Sequence, residues 1–294
     1  MNANSCNRLL TIGGRTFAFG SRTYIMGVIN VTPDSFSDGG LFADPDRAAE
    51  RAIQLVAEGA DLLDLGAEST RPGAQPLDAE TERRRLLPAL RKVRAAVDVP
   101  ISIDTYKASV AEAALALGAD LINDISGFKA DPAMARTVAR AGVPVVLMHR
   151  RPFDDPYPGN VWDDLIPGLA GSLQLAEAAG IPRDHVIVDP GFGFGKTDRQ
   201  NLQIVRELSR LRVLGCPVLL GPSRKSTIGR TLDLPVHERV EGTGALVALA
   251  VAQGVDVIRV HDVLAMARIA RMADAVVRVA EEAAPVASGA PRGL

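Results

Sequence analysis

Eight short apolar runs, each followed by a longer amphipathic stretch, constrain the fold of this chain more than any other feature. The runs are rich in Val, Ile and Leu and cover residues 24–30, 61–66, 99–104, 120–124, 143–149, 185–189, 217–221 and 256–261. Their hydrophobicity is continuous rather than alternating, so both faces of each predicted strand are covered, as in parallel sheets packed by helices. The Ala-, Leu- and Arg-rich stretches between them predict helices over 46–58, 78–97, 107–117, 131–141, 161–179, 199–211, 238–252 and 262–282.

Eight strand–helix pairs in 294 residues match an α/β protein built as a single (β/α)8 TIM barrel. An open dinucleotide-binding sheet would want GxGxxG after its first strand, and Gly27-Val28-Ile29-Asn30 leads instead into Val31-Thr32-Pro33-Asp34. The junctions Gly59-Ala60-Asp61, Gly118-Ala119-Asp120 and Gly254-Val255-Asp256 read as one helix-to-strand turn used repeatedly, with Gly ending each helix. Residues 1–23 contain two apolar segments flanking Gly13-Gly14, which predicts an N-terminal β-hairpin closing the barrel bottom. The barrel itself is assigned to 24–282, and the Ala/Pro/Gly-rich residues 283–294 to a frayed tail.

A near balance of 33 Lys+Arg and 35 Asp+Glu, net charge -2, gives no broad cationic surface for nucleic acid or anionic lipid. The first residues lack the charged start and long apolar stretch of a signal peptide, and the longest uncharged apolar run, 242–255, is too short to span a bilayer. A cytoplasmic chain with neither nucleic-acid nor membrane partners is expected. That same run is apolar nearly all round, which predicts deep burial or contact with another subunit. Cys6 and Cys216 stand far apart in sequence and suit neither a disulfide framework nor a zinc site.

Active sites of such barrels lie where the strands end, and these ends are polar. The first run ends in Asn30, and the second leads to Glu68, Ser69, Thr70 and Arg71. The third ends in Asp104, the fourth in Asn123-Asp124, the fifth in His149 and the sixth in Asp189. The seventh leads to Ser223, Arg224 and Lys225, and the eighth carries Arg259 and His261. Asp and Asn suit the donor–acceptor edge of a planar heterocycle, whereas Arg71, Lys225, Arg259 and His261 suit an anion such as phosphate.

Each residue also has a plain structural reading. Asp104 could cap the helix that follows, but an unpaired carboxylate inside a barrel is costly, which favours a functional one. Arg259 could meet an internal Asp or a phosphate, and the two stand level. His261 gains weight only from lying two residues after Arg259 on one strand face. Lys225 could simply start a helix, although two cations in a first turn oppose its dipole. Asp124 and His149 are assigned to structure. The run Asp189-Pro190-Gly191-Phe192-Gly193-Phe194-Gly195-Lys196 is no Walker loop, because Pro190 stands where Gly is required. Its glycines suit backbone lying close to a flat ligand. No residue spacing builds a metal site from protein alone, so any Mg²⁺ would be shared with phosphate oxygens, with Asn30 the nearest ligand.

Taken in order, these pieces are recognisable. Gly27 to Gly40 (GVINVTPDSFSDGG), Glu68-Ser69-Thr70-Arg71-Pro72-Gly73, Ser102-Ile103-Asp104-Thr105, Asn123-Asp124-Ile125-Ser126-Gly127, Met148-His149, the Asp189–Lys196 loop, Ser223-Arg224-Lys225 and Arg259-Val260-His261-Asp262 resemble the dihydropteroate synthases, folate-pathway members of the pterin-binding barrels. The resemblance runs from about Tyr24 to Ala270. It departs at Arg150–Pro156, where Met, Gly and Pro are usual, at Ala67, and at Pro222.

The resemblance implies joining 6-hydroxymethyl-7,8-dihydropterin pyrophosphate to p-aminobenzoate, with Mg²⁺, releasing pyrophosphate. It implies that Asp104, Asn123, Asp189 and Lys225 read the pterin. Asn30, Arg259 and His261 would form the diphosphate and metal side, with Arg71 delivered by a loop, and Thr70, Pro72, Phe194, Ser223 and Phe36 would wall p-aminobenzoate. A homodimer through the last helices is also implied. Two competing functions are a corrinoid methyltransferase domain, which would not need Arg71, Lys225 and Arg259 together, and a pterin-binding paralogue without catalysis.

Overall fold

The structure is a computed structural model that describes residues 8–32, 44–69, 75–151, 155, 157 and 159–278. Its first element is a hairpin, β1 (Arg8–Ile12) and β2 (Arg15–Phe19), paired antiparallel with Ile12 opposite Arg15. Gly13 and Gly14 supply the positive φ angles, 54° and 75°, of its two-residue turn. A Cβ at Gly13 would also lie 2.7 Å from the Asp120 carboxyl carbon, so glycine is required there by contact as well as by torsion.

The remaining strands are β3 (Tyr24–Asn30), β4 (Leu62–Gly66), β5 (Ile101–Asp104), β6 (Leu121–Asp124), β7 (Val145–Met148), β8 (Val186–Asp189), β9 (Leu219–Leu220) and β10 (Val257–Val260). They pair in parallel in the order β8-β7-β6-β5-β4-β3-β10-β9. A parallel bridge between Val188 and Val218 joins the two ends of that order, and Val188 N donates to Pro217 O at 2.9 Å. The expected barrel is therefore closed. Around it lie α1 (Pro45–Glu58), α2 (Ala79–Ala96), α3 (Ala108–Leu115), α4 (Met134–Ala141), α5 (Trp162–Ala178), α6 (Asp198–Arg206), α7 (Ser226–Leu232), α8 (Val240–Ala252) and α9 (Val263–Val277).

The repeated Gly-x-Asp junction works as a unit. Gly59, Gly118 and Gly254 take φ of 108°, 88° and 82° and end their helices. The Asp that follows caps the neighbouring strand: Asp61 accepts from Ile25 N at 2.8 Å, Asp120 from Ile101 N at 2.9 Å and Asp256 from Val218 N at 2.9 Å. Each satisfies a backbone donor at the barrel bottom that has no ladder partner.

Two cores follow from strand alternation. Outward residues such as Ile29, Leu63, Leu65, Ile103 and Val188 pack under the helices. Inward residues Met26, Leu62, Leu121, Val146, Ile187, Leu219 and Val257 form a floor against Leu10, Ile12, Phe17 and Phe19 of the hairpin. The hairpin thus packs on the floor of the barrel.

Several boundaries differ from those expected, and three of the differences have a local cause. The helix expected over 199–211 stops at Arg206, and a 3₁₀ helix occupies Leu208–Leu214. Leu208, Leu211 and Leu214 are all buried there, and their three-residue spacing fits the 3₁₀ repeat rather than 3.6. The short helix α7 has no counterpart in the expected elements, because seven residues are too few to show a period. The expected start of α4 at Asp131 moves to Met134, since the Asp131 carboxylate instead accepts from Ala108 N and Ala133 N. Residues 1–7 and the 283–294 tail lie outside the described residues.

Replacing Phe17, which is 3% exposed, with Ala should lower unfolding stability by about 3–5 kcal/mol. Because the floor lies at the opposite end from the polar rim, rim chemistry should be unchanged; urea unfolding and steady-state kinetics check the two halves of this expectation.

Candidate active site

Two residues above the apolar floor, the same inward parity delivers polar groups. Leu62 is followed by Asp64, Leu121 by Asn123, Ile187 by Asp189 and Val257 by Arg259. Asn30 and Asp104 end β3 and β5, and His261 and Ser223 follow β10 and β9. Asn30, Asp104, Asn123, Asp189, Phe194, Ser223, Lys225, Arg259 and His261 therefore gather at the strand ends of one barrel. Phe36, Thr70, Arg71 and Pro72 lie outside the described residues.

Arg259 is the centre of the charges. Its Nε donates to Asp64 Oδ2 at 2.5 Å and its Nη2 to Asp104 Oδ2 at 2.8 Å. Asn123 Nδ2 donates to the same Asp64 oxygen at 3.1 Å. The internal-Asp alternative for Arg259 thus holds in this structure, with two carboxylates on one guanidinium. Asp104 is a barrel-facing partner of Arg259 and does not cap α3, whose N-cap is Lys107 without a side-chain bond. Gly66 makes room for it, since a Cβ there would lie 3.2 Å from Asp104 Cβ. Asp64 Oδ1 and Ser102 Oγ are buried with no hydrogen-bond partner among the described residues, so the hydrogen-bonding capacity of Asp64 is not fully used.

Burial shifts these groups towards neutrality. Desolvation raises Asp104 to about 7, against the pull of Arg259. It raises Asp189 to about 6, opposed by the Gly191 N–H, which donates to Asp189 Oδ1 at 2.7 Å, and by Lys225. It lowers Lys225 to about 8, with Arg259 adding to the shift. The Lys225 ammonium stands 4.1 Å from the centre of the Phe194 ring, and Phe194 packs on Ile125, Met148 and Tyr106.

On the other side, Ser223 Oγ lies 2.9 Å from His261 Nδ1 and accepts from His261 N at 3.1 Å. Asn30 Nδ2 is 3.5 Å from His261 Nε2. Burial first, then the charges of Arg259 and Arg224, lower His261 to about 3, so the ring is neutral at pH 7 and can hold one proton for a ligand. Arg224 is not a second rim cation: it has φ of 57° and pairs with Asp262 at 2.9 and 2.5 Å. The charge pair before α7 therefore leaves Lys225 alone facing the mouth. Asp124 accepts from Ser126 N at 2.7 Å and Phe128 N at 2.9 Å, and His149 is buried between Tyr157 and Asp164; both serve structure, as expected.

Sequence reasoning missed Asp64 and the cluster around Glu68. Asp64 sits inside the run Leu62–Gly66 and was absorbed into its hydrophobicity; its parity with Leu62 was the available signal. Glu68 accepts from Tyr106 Oη at 2.6 Å, Lys107 Nζ at 2.5 Å and Leu77 N at 3.1 Å. Lys107 also bonds Glu82 at 2.5 Å, and this network ties α2 to the ends of β4 and β5.

Arg259→Met should destabilise the protein by about 3–5 kcal/mol, because Asp64 and Asp104 lose their counterion. A carboxyl whose folded pKa exceeds its unfolded value binds more protons when folded, so stability falls as pH rises. Arg259 holds Asp104 down to about 7 in the wild type, so without it the carboxyl titrates higher, and the deficit should shrink as pH is lowered towards 7; chemical denaturation across pH measures it.

The pterin-binding enzyme family matches residues 26–261. The chain is 47% identical over 270 residues to a Clostridium beijerinckii dihydropteroate synthase, covering 92% of this chain and 100% of the relative. It is 47% identical to the Bacillus subtilis dihydropteroate synthase, covering 88% and 90% of the two. A Xanthomonas albilineans dihydropteroate synthase solved with 4-aminobenzoic acid superposes with a TM-score of 0.88 at 41% identity, over 93% of this chain and 100% of that one. Shared barrel, ordered motifs and this similarity along nearly the whole length place the chain in the dihydropteroate synthase family of pterin-binding enzymes.

Proposed function

We propose that this protein condenses 6-hydroxymethyl-7,8-dihydropterin pyrophosphate with p-aminobenzoate, giving 7,8-dihydropteroate and pyrophosphate. The observation that carries the reading is the single mouth in which Asp104, Asn123 and Asp189 stand beside Lys225 and Arg259. The family membership of the whole barrel adds to it, and the solved relative holding 4-aminobenzoic acid supports the second substrate. Its relatives are named as synthases, which disfavours the corrinoid methyltransferase alternative.

In this reading the acidic side takes the pterin. Asp104 and Asp189 accept N–H groups of the ring, Asn123 both gives and takes, and Lys225 donates to a ring acceptor. When Asp104 turns to the pterin, Arg259 keeps Asp64 as counterion and frees Nη2 for the diphosphate. His261, neutral at pH 7, donates a hydrogen bond, and Arg71 supplies a further cation. Loss of pyrophosphate leaves a resonance-stabilised pterin methyl cation, which the arylamine attacks. The rate then comes from stabilising separating charge and keeping water away, with no side-chain nucleophile. Phe36, Thr70, Pro72, Phe194 and Ser223 wall the arylamine.

Among the described residues, no three His, Cys, Asp or Glu could hold a metal ion. Asn30, beside His261, offers one amide oxygen. That donor set fits Mg²⁺ carried mainly by the diphosphate, with Asn30 as its protein ligand. When bound, Mg²⁺ makes pyrophosphate a better leaving group.

No described helix is long and apolar enough to cross a membrane, consistent with a cytoplasmic enzyme. Leu249 on α8 and Leu264, Met272 and Val276 on α9 are large apolar side chains left exposed, while the opposite face of α8 is buried. These residues support a homodimer through the last two helices.

Purified protein given both substrates and Mg²⁺ should form dihydropteroate, followed by chromatography; no product would overturn the reading in favour of a pterin-binding paralogue. Chelating the metal should abolish turnover. Arg71→Ala should lower kcat about 100-fold while changing pterin affinity less than about threefold. Equal losses in both, measured by kinetics and calorimetry, would count against a cation delivered for the leaving group.

A further inference from the structure

Lys196 ends the glycine-rich loop after β8, but its ammonium turns back beneath that loop and away from the rim cations. Its Nζ lies 2.8 Å from Tyr157 Oη, 2.9 Å from Gly191 O, 3.2 Å from Phe194 O and 3.4 Å from His149 O. These partners are three carbonyls and a hydroxyl, none charged. Only 8% of Lys196 is exposed, and burial lowers it to about 7 although Asp189 pulls the other way. Burying an ammonium costs several kcal/mol, and an apolar side chain would commonly pack there at lower cost. What the amine supplies is directional: its N–H groups draw several backbone oxygens to one point.

The oxygens it draws together define the seat of two rim residues. Gly191 O also accepts from Phe194 N at 3.1 Å, so residues 191–194 form a turn held from below by Lys196. From the side, Asn201 Oδ1 accepts from Gly193 N at 2.7 Å, and Asn201 Nδ2 bonds Thr227 Oγ1 at 3.0 Å in α7. Gly193 has φ of 83°, and a Cβ there would come within 2.9 Å of Lys225 Cδ. The Phe194 ring then lies directly against the Lys225 ammonium. Displacing the turn would move both.

We infer that Lys196 is a positioning residue for the reaction, a buried amine whose hydrogen bonds fold the Gly191–Phe194 turn and so place the Phe194 ring and the Lys225 ammonium at the mouth. Tyr157 belongs to the same device, since its hydroxyl joins Lys196 to His149 Nδ1 at 3.0 Å. This gives a role to a residue beside the Arg150–Pro156 stretch, where the chain departs from its family pattern. The inference rests on the synthase reading, in which Phe194 walls p-aminobenzoate.

The test compares wild type with Lys196→Met, which fills most of the same space without N–H donors, and Tyr157→Phe, which removes one acceptor. Dihydropteroate synthesis is measured with each substrate varied, alongside thermal unfolding. Lys196→Met should raise KM for p-aminobenzoate about tenfold while kcat at saturation falls less than about threefold, and Tyr157→Phe should raise the same KM about threefold. A lowered unfolding midpoint with unchanged KM would make Lys196 merely structural and overturn the inference. If Lys196→Met does not fold, Tyr157→Phe decides by the same criterion. An active wild type with unaltered variants sinks this inference alone, whereas an inert wild type sinks the synthase reading and the inference together.

Discussion

Charge inside a closed barrel has little water to solvate it, so the mouth must balance itself, and Arg259 between Asp64 and Asp104 is how this one does so. The guanidinium projects from β10 and its partners from β4 and β5, so the contact spans strands that are not neighbours in the sheet. Lys225 is lowered by the charge of Arg259 as well as by burial, Asp104 is raised by Asp64, and His261 is held neutral in part by Arg259. Burial is the largest cause of each shift, and the one buried cation acts on all three groups: it adds to the lowering of Lys225 and His261 and opposes the rise of Asp104.

The same pairing makes the site adaptable. A guanidinium with two carboxylates can give up one without becoming an isolated buried charge, because Asp64, fully buried, remains. That leaves Asp104 available for a donor-rich guest and an Arg259 nitrogen available for an anion. Underneath, the apolar floor sealed by Phe17 and Phe19 excludes water from below, which strengthens the interactions among the rim charges. Rigid parts surround the chemistry: the Glu68–Lys107–Glu82 network on one side and the Lys196 clasp on the other. Both set a lysine among acceptors, and both lie beside loops that follow a strand.

How much could be read beforehand depended on whether the physical signal was local. Runs such as 101–104 and 186–189 announced themselves because continuous apolar character marks a strand covered on both faces. Asn123, Asp189 and His261 were legible because polarity ending an apolar run is informative once the barrel is assumed. Asp64 was not, since a single carboxylate within Leu62–Gly66 looks like noise until parity is counted. Lys107, Lys196 and Tyr157 gave no local signal, because a buried polar network is recognised only by its partners. The 3₁₀ segment at Leu208–Leu214 falls within the expected helix 199–211 as far as Leu211, because leucines three apart suit either period.

The sequence by itself determined the alternation of strand and helix, the Gly-x-Asp turns and the polar ends of the strands, since each rests on side chains close together along the chain. Only the tertiary structure decided who neutralises whom: Arg259 is 195 positions from Asp64 and 155 from Asp104. Pairing across such separations is settled by barrel closure and burial, which no local stretch of residues encodes, and the energy of a charge depends on its surroundings far more than on its identity.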